Sequence, residues 1–211
     1  MSKLHFELLS KNQIKVLEIL KNFSKYGVLG GGTVLMLQLS HRNSYDLDIF
    51  LPKIVSQKFL YKVKQYFKQI EIIVDTGDEF SFISTPHKVK ISFIYYPYSP
   101  LYKTIPTPYL NFFSWKDIGL DKAHTIGRRG EWRDYVDLYF VIKKGFSLKE
   151  IIKGTEKKFG DSFSEKLFLS QLSYFRDIED FTVDFIGEKD SPKEIKDFLE
   201  KEVEKYKKEI L

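Results

Sequence analysis

The sequence predicts an α+β fold, with a small mixed β-sheet and flanking helices over residues 1–105 followed by an all-helical domain over residues 106–211. Three observations carry this expectation. Apolar residues recur at helical spacing from Leu4 to Phe23 and again from Val55 to Ile70, with lysines filling the polar positions. Between Ile70 and Tyr95 the period shortens to two, with turn residues at Thr76-Gly77-Asp78 and Thr85-Pro86, which reads as a three-strand meander. Beyond Phe113 every periodic segment is helical again, so the strands gather in the first half and helices fill the second.

Taken in order, the first helix spans Leu4 to Phe23 and ends before Gly27. Val28 and Leu29 then lead into the turn Gly30-Gly31-Gly32, followed by a short buried helix from Val34 to Leu39. A strand is expected over Asp46 to Leu51, stopped by Pro52, and a helix over Val55 to Ile70. The meander follows at Glu71–Asp75, Glu79–Ser84 and His87–Tyr95. The stretch from Tyr96 to Phe113 is rich in Pro and Tyr and reads as an irregular connector. Helices are then expected from Ser114 to Ile126, Glu131 to Lys144, Leu148 to Phe159, Ser164 to Phe175 and Pro192 to Leu211. From Glu188 onward acids and lysines nearly cancel, as on a solvated amphipathic helix.

The composition excludes several chemistries. Without cysteine there is no disulfide, thiolate zinc site or cysteine nucleophile, and the four histidines lack metal-ligand spacing. No apolar run is long enough to cross a bilayer and the first residues do not read as a leader, so a cytoplasmic protein without a membrane partner is expected. The formal net charge of +5 is compatible with a nucleic-acid partner.

Two constellations bear on function. In the first, Leu29 to Phe50, three glycines can bring backbone N–H groups against a bulky anion at the start of a helix, and Thr33 adds a hydroxyl. Asp46 and Asp48 alternate with Leu47 and Ile49, so the two carboxylates share one strand face, where they can hold a hard cation such as Mg²⁺ or Mn²⁺. In the second, Leu120 to Tyr139, charge is concentrated inside apolar helices. Lys122 can neutralise phosphate oxygens, and Asp134 and Asp137, three apart, share a helical face. For Asp137 a structural pair with an arginine is as plausible as catalysis.

Gly31-Gly32-Thr33, the apolar helix, His41-Arg42, Ser44 and Asp46-Leu47-Asp48 together resemble the signature of the AbiEii/AbiGii-like nucleotidyltransferase toxins, within the DNA polymerase β-type superfamily. The spacing of Lys122, Arg129 and Arg133-Asp134-Tyr135-Val136-Asp137-Leu138-Tyr139 is similar to the later motifs of that family, so the resemblance covers roughly residues 25 to 145. It implies a nucleotidyltransferase that moves a nucleoside monophosphate from an NTP to an acceptor hydroxyl and releases pyrophosphate. Gly31, Gly32 and Thr33 would hold the terminal phosphates with Ser44, Arg42 and Lys122 would neutralise them, and Asp46 and Asp48 would bind the metal. Asp134 or Asp137 would be needed for activity, with Asp134 preferred. It implies further an RNA acceptor such as a tRNA 3′ end, a toxin role in a toxin–antitoxin or phage-defence system, and a cognate antitoxin. Alternatives are a transferase acting on a small molecule or protein, and a pseudoenzyme that binds nucleotide or RNA without chemistry. Superfamily enzymes usually add a third carboxylate from a later strand, where Ser92 stands in this chain. Asp75 or Asp78 would then substitute, a single metal would suffice, or catalysis has been lost.

Overall fold

The computed structural model describes residues 3–187 and 189–210; Met1, Ser2, Glu188 and Leu211, where parts of the expectations above fall, lie outside the described residues. By its internal contacts the chain forms two compact units, one of residues 1–40 and 44–114 and one of residues 41–43 and 115–211. A mixed sheet with helices and a separate helical region are both present, as the α+β expectation required.

In the first unit the sheet has the order β1-β2-β5-β4-β3, formed by β1 (Val28–Gly30), β2 (Leu47–Leu51), β3 (Ile70–Asp75), β4 (Glu79–Ser84) and β5 (Val89–Tyr95). Only the β2–β5 pairing is parallel. The alternation read from the sequence sets the faces. Leu47, Ile49, Leu51, Ile91, Phe93, Phe80 and Phe82 are buried on one side, against α1 (Lys11–Leu20) and α3 (Gln57–Tyr66). Phe23 lies at the middle of that core, with its ring 5.3 Å from Phe93 and 5.8 Å from Phe59. Asp48, Ser92 and Ser81 stand on the opposite face, because each is one residue out of phase with the buried set.

Three local departures have physical causes. The first helix is not continuous: a short 3-10 turn at Phe6–Leu8 gives way at Leu9, and Ser10 with Gln13 closes a capping box that starts α1. β1 is a three-residue edge strand where only an entry into the turn was expected, too short to show a period of two. The second helix, α2 (Gly31–Leu39), begins among the glycines themselves, with Gly30 as its extended N-cap.

The second unit contains α4 (Trp115–Ile126), α5 (Trp132–Lys143), α6 (Leu148–Phe159), α7 (Glu165–Leu172) and α8 (Pro192–Ile210). The limits of α6 match the expectation because Ser147 and Glu150 form a capping box ahead of it. Within this unit a buried lysine, Lys158 on α6, pairs with Asp117 at 3.1 Å and Asp121 at 2.6 Å on α4, two carboxylates one helical turn apart.

Candidate active site

The glycine loop and the carboxylate strand are brought together by β1 and β2. Their antiparallel register sets Gly30 opposite Asp48, so the loop leaving β1 passes directly over the Asp48 side chain. Gly31 follows with φ +71°, and a Cβ placed on it would lie 2.5 Å from Asp48 Oδ2. The neighbour is the far end of a side chain and could shift, but the left-handed backbone at this position favours glycine. The backbone N–H groups that open α2 are therefore held beside a carboxylate, so donors able to meet an anion stand next to an oxygen able to meet a cation.

The loop carrying Ser44 and Asp46 is fastened from two helices. Thr33, 1% exposed, donates its hydroxyl proton to the Asp46 backbone carbonyl at 2.5 Å and lies 3.1 Å from the Ser44 hydroxyl. With its one proton committed to Asp46, Thr33 accepts from Ser44. Gln13 on α1 donates its amide to the backbone carbonyls of Ser44 and Tyr45, at 3.2 and 3.1 Å. Thr33, expected as a phosphate ligand, has its hydroxyl engaged in stitching α2 to the loop. Gln13 was missed from sequence; its signal was the Ser10-Lys11-Asn12-Gln13 capping pattern, which puts a polar side chain on a helix face that is otherwise apolar.

Asp46 precedes β2, with its side chain 41% exposed and Lys90 Nζ 3.5 Å from its carboxylate. Asp48 pairs with Ser92 on β5, and Ser92 pairs in turn with Ser81 on β4. Neither expected substitute carboxylate reaches them. Asp75 lies on β3, three strands from β2 in the sheet order, which at ~4.8 Å per strand is about 14 Å. Asp78 lies where its carbonyl accepts from the Tyr95 N–H, three residues along β5 from Ser92. Among the described residues no group of three histidine or acidic side chains is arranged to hold a metal. The donors on hand still fit Mg²⁺ or Mn²⁺: two oxygen ligands on one face, with the Cβ-free approach of Gly31 beside Asp48. Mg²⁺ is commonly held by one or two carboxylates, with waters and substrate phosphates completing the shell.

The second constellation forms a buried ion network within the helical unit. Asp137 on α5 is fully buried and accepts from Arg42 Nε at 2.6 Å, Arg42 Nη2 at 2.8 Å and His41 Nε2 at 2.8 Å, with Lys122 Nζ at 2.6 Å. Burial alone would raise its pKa, but the charges of Lys122 and Arg42 and the bonds from His41 and Arg42 hold it well below the carboxylate range. Lys122, whose side chain is 12% exposed, also meets Asp134 Oδ1 at 2.5 Å. Burial works against its charge, yet the two aspartates outweigh this and raise its pKa above the ordinary value. For His41 burial wins over the pull of Asp137 and lowers the pKa, so the ring is neutral, with its Nε2–H toward Asp137 and a buried Nδ1 lacking a hydrogen-bond partner.

These positions divide the expected residues into two groups. Gly31, Gly32, Thr33, Ser44, Asp46 and Asp48 converge in the sheet unit, while Arg42, Lys122, Asp134 and Asp137 converge in the helical unit. Arg42, expected at the triphosphate, has its guanidinium fork closed on Asp137, with Nη1 on the Asn43 carbonyl at 3.1 Å. Asp134 differs from Asp137: its Oδ2 is buried without a hydrogen bond, and Arg129 Nε stands 3.5 Å away.

Known proteins resemble this chain in sequence and in fold. The chain is 30% identical over 186 residues to an uncharacterized protein of Aquifex aeolicus (strain VF5), covering 84% of this chain and 86% of that one. Among solved structures it shares its fold with a putative nucleotidyltransferase from Helicobacter pylori, at 20% identity and a TM-score of 0.57, covering 95% and 97% of the two chains. The fold is shared too with MenT4, a nucleotidyltransferase toxin from Mycobacterium tuberculosis, at 15% identity and a TM-score of 0.59, covering 91% of this chain and 81% of that one. The family model described as nucleotidyl transferase AbiEii toxin, type IV toxin–antitoxin system, matches residues 17–209, and the chain belongs to that family.

Proposed function

We propose that the protein is a Mg²⁺- or Mn²⁺-dependent nucleotidyltransferase that moves a nucleoside monophosphate from an NTP to an RNA hydroxyl, as at a tRNA 3′ end. Its cellular role is that of a toxin, answered by a cognate antitoxin. The observation that carries this reading is the close approach of the left-handed Gly31 backbone to the Asp48 carboxylate. A cation on Asp46 and Asp48 would neutralise phosphate charge and favour the acceptor oxygen as nucleophile. The N–H groups of Gly31 and Gly32 bind the terminal phosphates at the head of α2. Thr33 and Gln13 keep Ser44 and Asp46 in place, so the acceptor meets a preset frame. The acceptor oxygen bonds to the α-phosphorus, the bond to the bridging oxygen breaks, pyrophosphate leaves, and the hydroxyl proton passes to solvent.

The test is transfer of label from each α-labelled NTP to total RNA in the presence of Mg²⁺ or Mn²⁺. Wild type labels RNA, and Asp48→Ala falls at least ~100-fold while its thermal midpoint is unchanged, because several kcal/mol of charge stabilisation go with the metal ligand. Equal labelling by Asp48→Ala sinks the reading. Ser92 beside Asp48 favours one competitor, a protein that binds nucleotide without transferring it. Metal-dependent nucleotide binding by calorimetry with no labelled product in any fraction would establish that instead.

A further inference from the structure

The formal net charge of the chain is +5, and residues 52–69 alone carry five lysines, Lys53, Lys58, Lys62, Lys64 and Lys68, with no acid. The remainder of the chain therefore sums to zero. The long helix α8 shows what a merely solvated lysine-rich helix looks like here: its lysines alternate with an equal number of acids. On α3 and the turn before it the positive charge has nothing to cancel it. Among the described residues none of these five lysines, nor Lys25 beside them, has a carboxylate within ion-pair distance; the same holds for Lys193, Lys205 and Lys207 on α8, so what sets the patch apart is the absence of acids from residues 52–69.

The patch also has a shape. An open cavity of about 440 Å³ is lined by Lys25, Tyr26, Pro52, Lys53, Lys58 and Phe59, among others. The Tyr26 ring forms part of its wall between two ammonium groups, with Lys62 Nζ 4.7 Å and Lys25 Nζ 5.3 Å from its centroid. Further along α3, Tyr61 is 67% exposed and Tyr66 42% exposed, on a helix whose buried residues are Phe59, Leu60 and Val63. Unpaired cations spaced along a groove, with aromatic faces between them, match the needs of a single-stranded nucleic acid, whose phosphates recur and whose bases stack.

We infer that this groove, between the Lys25–Tyr26 corner and α3, is a binding surface for the phosphodiester backbone of a single-stranded nucleic acid. On the nucleotidyltransferase reading, on which this assignment of the ligand rests, that strand is an unpaired segment of the RNA acceptor. The groove is distinct from the phosphate loop. α3 packs on the apolar face of the sheet, while Asp48 projects from the other face. Leu51, at the cavity floor, lies three residues along β2 from Asp48, or about 10 Å. The groove grips the acceptor away from the reacting end, and a small-molecule acceptor would gain nothing from it.

The experiment is fluorescence anisotropy of the full chain with a labelled 24-nucleotide single-stranded RNA, without NTP or metal, titrated across NaCl concentration. The triple variant Lys25→Gln/Lys53→Gln/Lys58→Gln, all exposed positions, is compared with Lys193→Gln/Lys205→Gln/Lys207→Gln on α8. The groove variant binds at least ~10-fold more weakly at 0.1 M salt, and its slope of log K against log salt is shallower by about 2, near 0.7 for each phosphate that the protein no longer neutralises. The α8 variant matches wild type. Equal affinity and slope in the groove variant overturns the inference. So does poly-L-glutamate of matched charge displacing the RNA as well as unlabelled RNA does, because that outcome marks a surface for acidic protein. Binding is read without chemistry, so the two proposals fail separately: Asp48→Ala keeps its RNA affinity if the groove is right, and loses transfer if the active site is right.

Discussion

Two aspartate pairs, Asp46 with Asp48 and Asp134 with Asp137, differ in burial. Asp46 has its side chain 41% exposed, with Lys90 Nζ 3.5 Å from its carboxylate, and Asp48 is half-buried on a sheet face. Asp137 is buried under a guanidinium, an ammonium and an imidazole, and Asp134 shares the same ammonium. A carboxylate surrounded by fixed cations is already neutralised, and taking up a further cation there would mean breaking those bonds. A carboxylate with part of its surface in water, as Asp46 is, can take a further ligand without first being uncovered. The difference between the pairs is one of burial, and a D-x-D and a D-x-x-D in a sequence do not reveal it.

The largest effect should come from opening the closed pair. Asp137→Ala leaves Arg42 and Lys122 buried with too little counter-charge and should lower stability by about 3–5 kcal/mol in urea unfolding. A loss below ~1 kcal/mol would mean that the network contributes little and that the two pairs are more alike than their burial suggests. Next comes Gly31→Ala. It forces a side chain into left-handed backbone and onto Asp48 Oδ2, and should cost about 1–3 kcal/mol together with most of the transfer activity. Unchanged activity in a folded Gly31→Ala protein would break the case that loop and carboxylate form one site. The gentlest probe is pH. His41 and His124 both have folded pKa values below the ordinary 6.5, in each case through burial, His124 at about 4 and with Arg128 adding to the effect. Below pH 6.5 the unfolded chain binds more protons than the folded one at these sites, so stability declines from about pH 6.5 toward pH 4. Asp137, held well below its ordinary 3.8, adds a further loss that starts as the unfolded carboxylate protonates, in the ordinary carboxylate range, and continues into stronger acid. Urea midpoints rising from pH 7 to pH 5 would show that the histidines are not buried as described.

Local pattern made much of this readable in advance. The alternation of Asp46, Leu47, Asp48 and Ile49 fixed which side chains share a face, and the two-residue period of the meander fixed three strands. What stayed hidden was long-range or too short to have a period. β1 has three residues, and its pairing with β2 is what sets Gly30 opposite Asp48. Gln13 reaches Ser44 across 31 positions, and Arg42 reaches Asp137 across 95. The residues of both constellations were visible as types, but Thr33 and Arg42 stood beside phosphate in the reading from sequence and are engaged elsewhere in the structure. Side-chain hydrogen bonds between distant elements leave no periodic trace, so a motif gives the inventory of a site without its allocation.

Residues 41–43 belong to the helical unit although the chain before and after them belongs to the sheet unit. The polypeptide therefore passes between units three times, and a gene fragment encoding residues 1–114 would not be an independent cassette. It would carry Arg42 without Asp137 and leave the tether ahead of Ser44 and Asp46 without its anchor. Recombination at the single obvious junction near residue 114 would thus separate a three-residue loop from the helix that neutralises it, and the two halves can be expected to be inherited together.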